Sequence, residues 1–239
     1  MSLRVYVYGP RRSGLHAVAY WMLRHAYQAR SLAELDHGRR YANNIARPWR
    51  STRYTAWAGP MQVIGHEVWD PQDAPGALYH DPSPAYPRNL AVVLLRDPAN
   101  WLASLRRLGI FQERFIRLWL SLAEKFFLRE AQTPGVLAVR YNAWFTDRAE
   151  RERLSAHLGL PFTDAGLQHV PHYGSGSSFD RRAFEGRAGE MKVLDRWTRE
   201  RDFVAHWTGR YPVLLDYSQR IFGWAPDMAA AAGAGAAQA

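Results

Sequence analysis

Apolar and polar positions alternate between two periods along this chain, and the switches mark its elements. Leu3–Tyr8 is a β-branched and aromatic run that predicts a first strand. From Leu15 to Ala29 the apolar positions recur three and four apart, the spacing of a helix. Residues 31–60 lose both periods; they are polar, Arg-rich and broken by Pro48 and Pro60, which predicts short helical pieces and loop. Met61–Gly65 predicts a short second strand running into His66-Glu67-Val68-Trp69-Asp70, followed by a loop dense in proline (Pro71, Pro75, Pro82, Pro84, Pro87). Leu90–Leu95 is apolar throughout, as a strand covered on both faces should be. Asp97-Pro98 then supplies an N-cap and a first-turn proline for a helix.

Farther on, Ile110–Gln132 predicts a longer amphipathic helix, Val136–Arg140 a fourth strand, and Arg148–Leu158 a helix stopped by Gly159. The stretch 171–190, with Gly174-Ser175-Gly176-Ser177-Ser178, predicts a mobile loop; two helices follow, from about Leu194 to Thr208 and from about Leu215 to Phe222. Strands alternating with helices predict an α/β fold, P-loop-like and three-layered, with a central parallel sheet of about four to five strands flanked by helices. One domain over 1–226 and a flexible Ala/Gly-rich tail over 227–239 complete the expected organisation.

Composition narrows the chemistry. With no cysteine, disulfides, zinc–thiolate sites and a cysteine nucleophile are excluded. Neither a signal peptide nor an apolar run of membrane-spanning length is expected, which points to a cytoplasmic protein. Net charge is +9, and Lys125 and Lys192 are the only lysines among 31 basic residues. Arginine favours bidentate anion binding, although a GC-rich genome writes the same bias. No basic block with interleaved aromatics suggests a nucleic-acid surface, so no nucleic-acid partner is expected.

The richest chemistry follows the first strand. Gly9-Pro10-Arg11-Arg12-Ser13-Gly14-Leu15-His16 joins that strand to a helix start, where free N–H groups and the helix dipole favour an anion. The Gly9…Gly14 spacing equals that of G-x-x-x-x-G-K-[ST], but Leu15-His16 replaces Lys-Ser/Thr. Metal-dependent nucleotide hydrolysis is hard to build without that lysine and hydroxyl. A phosphate-bearing ligand that needs no metal suits the loop better. Ligands of parallel sheets lie beyond the carboxyl ends of the strands, and Arg11–His16, His66-Glu67 and Arg96-Asp97 all fall there.

Leu94-Leu95-Arg96-Asp97-Pro98-Ala99-Asn100-Trp101-Leu102-Ala103-Ser104 resembles the 3′-phosphate-binding segment of sulfotransferases that use 3′-phosphoadenosine 5′-phosphosulfate (PAPS), in which a strand-end Arg precedes a Ser by eight positions. Arg11-Arg12-Ser13-Gly14-Leu15 resembles that family's 5′-phosphosulfate loop, with Arg12 at the basic catalytic position. Val139-Arg140-Tyr141-Asn142-Ala143-Trp144 is similar to its Arg-Tyr-Glu-Asp-Leu segment, and Leu158-Gly159-Leu160 fits its order. The resemblance, to a bacterial-type member, covers residues 3–160 and, more loosely, 171–200. Leu15 and His16 depart from it by replacing hydroxyls, and Ala17 stands where many members carry an adenine-stacking aromatic.

The resemblance implies PAPS as donor, no metal requirement, and an acceptor bearing a hydroxyl or amine on a carbohydrate, lipid, peptide or small metabolite. It implies donor contacts from Arg11, Arg12, Ser13, Gly14, Leu15, His16, Arg96, Ser104, Tyr141 and Arg187, the last in competition with Arg181-Arg182. Arg12 would stabilise the departing phosphate, and Glu67 or His66, Glu67 by preference, would take the acceptor's proton. Plainer readings stand beside these: a solvated Arg12, a packed His66, an Arg-paired Glu67, a small helix residue at Ser104, a core Tyr141. Ser175, Ser177 and Ser178 are further nucleotide contacts or merely part of a flexible loop; Trp49, Trp57 and Trp69 line an acceptor pocket or belong to the core. Two other classes remain open, a P-loop kinase-like enzyme and a non-catalytic anion- or nucleotide-binding relative.

Overall fold

The structure, a computed structural model, describes residues 2–27, 41–43 (backbone only), 60–68, 86–129, 135–170 and 176–227. Five strands form one sheet in the order β2-β3-β1-β4-β5: β1 (Leu3–Pro10), β2 (Tyr41–Asn43), β3 (Met61–Val68), β4 (Arg88–Leu95) and β5 (Val136–Arg140). Every pairing is parallel. The helices among the described residues are α1 (Leu15–Tyr27), α2 (Pro98–Arg107), α3 (Arg114–Phe126), α4 (Tyr141–Thr146), α5 (Arg148–Leu158), α6 (Arg201–Arg210) and α7 (Val213–Phe222), with 3₁₀ turns at Ala188–Glu190 and Arg196–Glu200. The fold is therefore the expected α/β architecture with a parallel sheet between helical layers.

Strand alternation divides the core. Val5, Val7, Val63, Val92 and Leu94 pack on one face with α1, α4 and α5. Tyr6, Tyr8, Ile64, Val93 and Leu95 face α2, α3, α6 and α7 on the other. Five residues of β4 are buried in succession, Ala91 to Leu95, which is why its sequence is apolar from Leu90 onward. β1 is the switch point: β2 and β3 lie to one side of it, β4 and β5 to the other. A crevice at the carboxyl ends of the strands follows from that order.

Several boundaries differ from expectation. β3 does not stop at Gly65; it stays paired with β1 through Gly9↔Glu67 and Pro10↔Val68, so His66 and Glu67 are strand residues. β2 lies within the stretch expected to be helical pieces and loop. The helix expected over Ile110–Gln132 is confined to Arg114–Phe126, after Gly109 turns the chain at φ 67°. Arg196–Glu200 is a 3₁₀ turn ahead of α6, where one continuous helix was expected. The rest of 31–59, the proline-dense loop up to Ala85, Trp49, Trp57, Trp69, Gly174-Ser175 and the tail from 228 lie outside the described residues. No described helix is long and apolar enough to cross a membrane.

Candidate active site

The cleft forms where β1 turns into α1. Gly14, at φ 94°, opens the helix, and a methyl group on it would lie 2.1 Å from Cε2 of Tyr141. Glycine is required on both counts, because the backbone is left-handed and the Tyr141 ring is packed against it. The first N–H groups of α1 have no intrahelical partner and point to this spot. Arg12 enters the same turn at φ 69° and donates from Nη2 to the Gly176 carbonyl at 3.1 Å.

The neighbouring strand ends contribute one functional group each. Glu67 of β3 sits beside Gly9, with Arg11 Nε at 3.5 Å and His16 Nε2 at 3.8 Å from its carboxylate oxygens. Burial lowers the His16 pKa more than Glu67 raises it, so the imidazole is neutral at pH 7 and the pair is a contact rather than an ion pair. Arg96, beyond β4, donates to Ser104 Oγ at 3.3 Å and to the Val193 carbonyl. Its Nε is buried without a hydrogen-bond partner, and its carbon centre lies 5.3 Å from the Tyr141 ring centroid. Desolvation, followed by Arg196, pushes its pKa down to about 10, which leaves it charged at neutral pH. Tyr141, first residue after β5, stacks on Phe145 with 6.0 Å between centroids. Arg12, His16, Glu67, Arg96, Tyr141 and Phe145 line one cleft that opens to solvent.

Helices on the opposite sheet face fix this framework. The indole of Trp101 donates to the Arg11 carbonyl at 2.8 Å, and that of Trp119 to the Arg96 carbonyl at 2.9 Å. Asp97, fully buried, caps α2 by accepting from the Asn100 amide at 2.9 Å and accepts from Asn142 Nδ2 at 3.0 Å. It is structural, as an N-cap should be. Asn100 carries the linkage on, donating to the Leu194 carbonyl and accepting from the Trp197 amide.

Not every expected residue reaches the cleft. His66 points to the other sheet face, stacked on Tyr8 at 5.0 Å and 11°, because neighbours on a strand face opposite ways. Burial drops its pKa to about 4. Ser13 is fully buried, with Oγ 2.6 Å from where a Cβ on Gly9 would stand; its hydroxyl turns away from the ligand space. Leu15 does line the cleft, but at 3% exposure its side chain belongs largely to the core. Ser104 touches Arg96 rather than the cleft, and donates back to the Asn100 carbonyl at 2.9 Å. Arg187 is an exposed partner of Glu190 at 3.3 Å, away from the site.

Arg196 is the residue that sequence reasoning missed. It is 6% exposed, lines the cleft, and donates to Ser177 Oγ at 2.7 Å and Asp180 Oδ2 at 3.0 Å, while its Nε is buried without a partner. No local motif marks it; the signal was an Arg in the first turn of a segment otherwise expected to be helix. The stretch expected to be a mobile loop forms hydrogen-bonded turns within its described residues 176–190. Ser177 and Arg181 exchange backbone hydrogen bonds at 3.0 Å, and Ser177 Oγ accepts from the amides of Phe179 and Asp180.

No protein-family model matches the chain, and no curated protein sequence matches it. Among solved structures it is similar to the sulfotransferase domain of the Synechococcus PCC 7002 olefin synthase, at 15% sequence identity and a TM-score of 0.49, over 82% of this chain and 87% of that one.

Proposed function

We propose that this chain is a sulfotransferase that moves the sulfuryl group of PAPS to a hydroxyl or amine. One observation carries the reading: Arg12, Arg96 and Arg196 converge with the N-terminus of α1 on a cleft in which Glu67 is the one carboxylate among the described lining residues. Two buried guanidinium groups, Arg96 and Arg196, each keep an Nε without a partner, and Asp180 lies against Arg196 alone; such burial is costly unless an anion completes it. A nucleotide carrying separate 3′ and 5′ anionic groups supplies one anion for Arg96 and a second for Arg12 and the helix N-terminus. Arg96, oriented by Ser104, takes the 3′-phosphate in this reading. Arg12 and the α1 N–H groups take the 5′ end, and the flat faces of Tyr141 and Phe145 flank the nucleotide.

The chemistry uses few groups. Glu67 accepts the acceptor's proton, and the freed oxygen or nitrogen attacks sulfur in line. The bond from sulfur to the bridging phosphate oxygen breaks, and its electron pair stays on that oxygen. Charge growing there is met by Arg12 and the helix N-terminus. The products are the sulfated acceptor and 3′-phosphoadenosine 5′-phosphate (PAP), with the proton passing from Glu67 to solvent. Cytoplasmic residence belongs to the same proposal.

Melting the protein with PAP, and separately with Mg²⁺·ATP, tests the donor class. A ligand at 100 times its Kd adds about 2.7 kcal/mol of apparent stability. Stabilisation by PAP without metal is the expected result. Stabilisation by Mg²⁺·ATP alone would replace this reading with a kinase-like one. PAP binding without any turnover of PAPS would leave a non-catalytic relative.

A further inference from the structure

Beside the cleft runs a second groove, which shares Arg12, Gly176 and Ser177 with it. Four guanidinium groups line this groove, from Arg11, Arg12, Arg107 and Arg181, and none of the described lining residues is acidic. Glu67 answers Arg11, and the Gly176 carbonyl answers Arg12. Arg107 and Arg181 are exposed, and no described carboxylate lies within 4.0 Å of either. Arg181 holds φ 50°, a conformation more natural to glycine or asparagine, in a turn closed by its two hydrogen bonds with Ser177. Ser178 Oγ is buried in the groove wall with no hydrogen-bond partner among the described residues.

Apolar groups line the same groove. Leu108 is 44% exposed, Ile110 lies beside it, and the Phe179 ring is approached by Arg107 at 5.8 Å. Such a surface suits a molecule with an anionic group next to an apolar body: arginines and a hydroxyl for the charge, Leu108, Ile110 and Phe179 for the rest. A ligand anchored at Arg107 and Arg181 lies in a groove that shares Arg12 with the cleft, and Arg12 is where the sulfur atom of the donor would be.

We infer that this groove holds the acceptor, and that the acceptor carries a carboxylate, phosphate or sulfate beside an apolar portion. Only the word acceptor rests on the sulfotransferase reading; the preference for an anion rests on the groove itself.

Calorimetric titration with phenylacetate, phenyl phosphate and neutral 2-phenylethanol, each with and without saturating PAP, tests it. The proteins are wild type, Arg107→Ala/Arg181→Asn, and the charge-keeping Arg107→Lys/Arg181→Lys. The anionic probes should bind more tightly than the alcohol, and the Ala/Asn variant should lose about tenfold or more in their affinity. The lysine variant should retain part of it, and the stronger of the two anions identifies the charged group. Equal binding of all three probes, binding of none, or an Ala/Asn variant that matches wild type overturns the inference. PAP binding without anion preference sinks the groove alone. Anion preference without PAP binding sinks the donor reading and leaves the groove standing.

Discussion

At the tip of β3, His66 and Glu67 are one bond apart in sequence and a sheet apart in space. Glu67 faces the cleft, with Arg11 and His16 against its carboxylate. His66 faces the packed side, stacked on Tyr8 and held neutral by burial. The contrast extends to the faces themselves. On the closed face, the Trp101 and Trp119 indoles reach carbonyls, and Asp97 accepts from Asn100 and Asn142. On the open face, Arg96 and Arg196 keep Nε atoms unanswered. The completed contacts hold the scaffold, and the two incomplete guanidinium groups line the cleft.

The sharpest way to break this contrast is Glu67→Gln. Loss of the proton acceptor should lower sulfuryl transfer about 10²–10⁴-fold, while PAP, relieved of a nearby negative charge, should bind at least as tightly. A parallel fall in PAP affinity would make Glu67 a scaffold residue like Asp97. Gly14→Ala comes next. The left-handed backbone and the Tyr141 ring together should cost about 3 kcal/mol in urea unfolding, and a neutral result would mean that the ring has room to move.

His66 gives a test by pH. Its folded pKa of about 4 lies below the ordinary 6.5, so between those values the unfolded chain binds a proton that the native chain refuses. Stability from this group is therefore complete above pH 6.5 and is lost as pH falls toward 4, up to about 3 kcal/mol in all. His66→Phe keeps a stacked ring and should flatten that part of the wild-type pH profile; an unchanged slope would contradict a neutral His66. The smallest effect belongs to Arg187→Ala, which should leave PAP affinity and stability within about 0.5 kcal/mol of wild type.

Much of this was legible in the sequence, and the limits have physical causes. β4 could be read from Leu90 onward because burial on both faces leaves no polar position there. Asp97 and Gly159 could be read because caps have local chemistry; Gly159 does end α5, at φ 71°. The loop after β1 could be read because strand, glycine turn and helix are contiguous. The face of Glu67 could not, because Gly65 suggested a strand end, whereas pairing with β1 carries β3 three residues farther. Arg196 could not, because it reaches the cleft through Ser177 and Asp180, contacts made only on folding.

The central claim is that the open face binds a nucleotide through its 3′-phosphate at Arg96. A thermodynamic cycle measures it: Kd values of PAP and of 5′-AMP, without metal, for wild type and Arg96→Met. The account predicts that wild type prefers PAP by about tenfold or more and that most of this preference vanishes in the variant. Equal affinities for the two nucleotides in wild type, or a preference that survives the loss of Arg96, would contradict it.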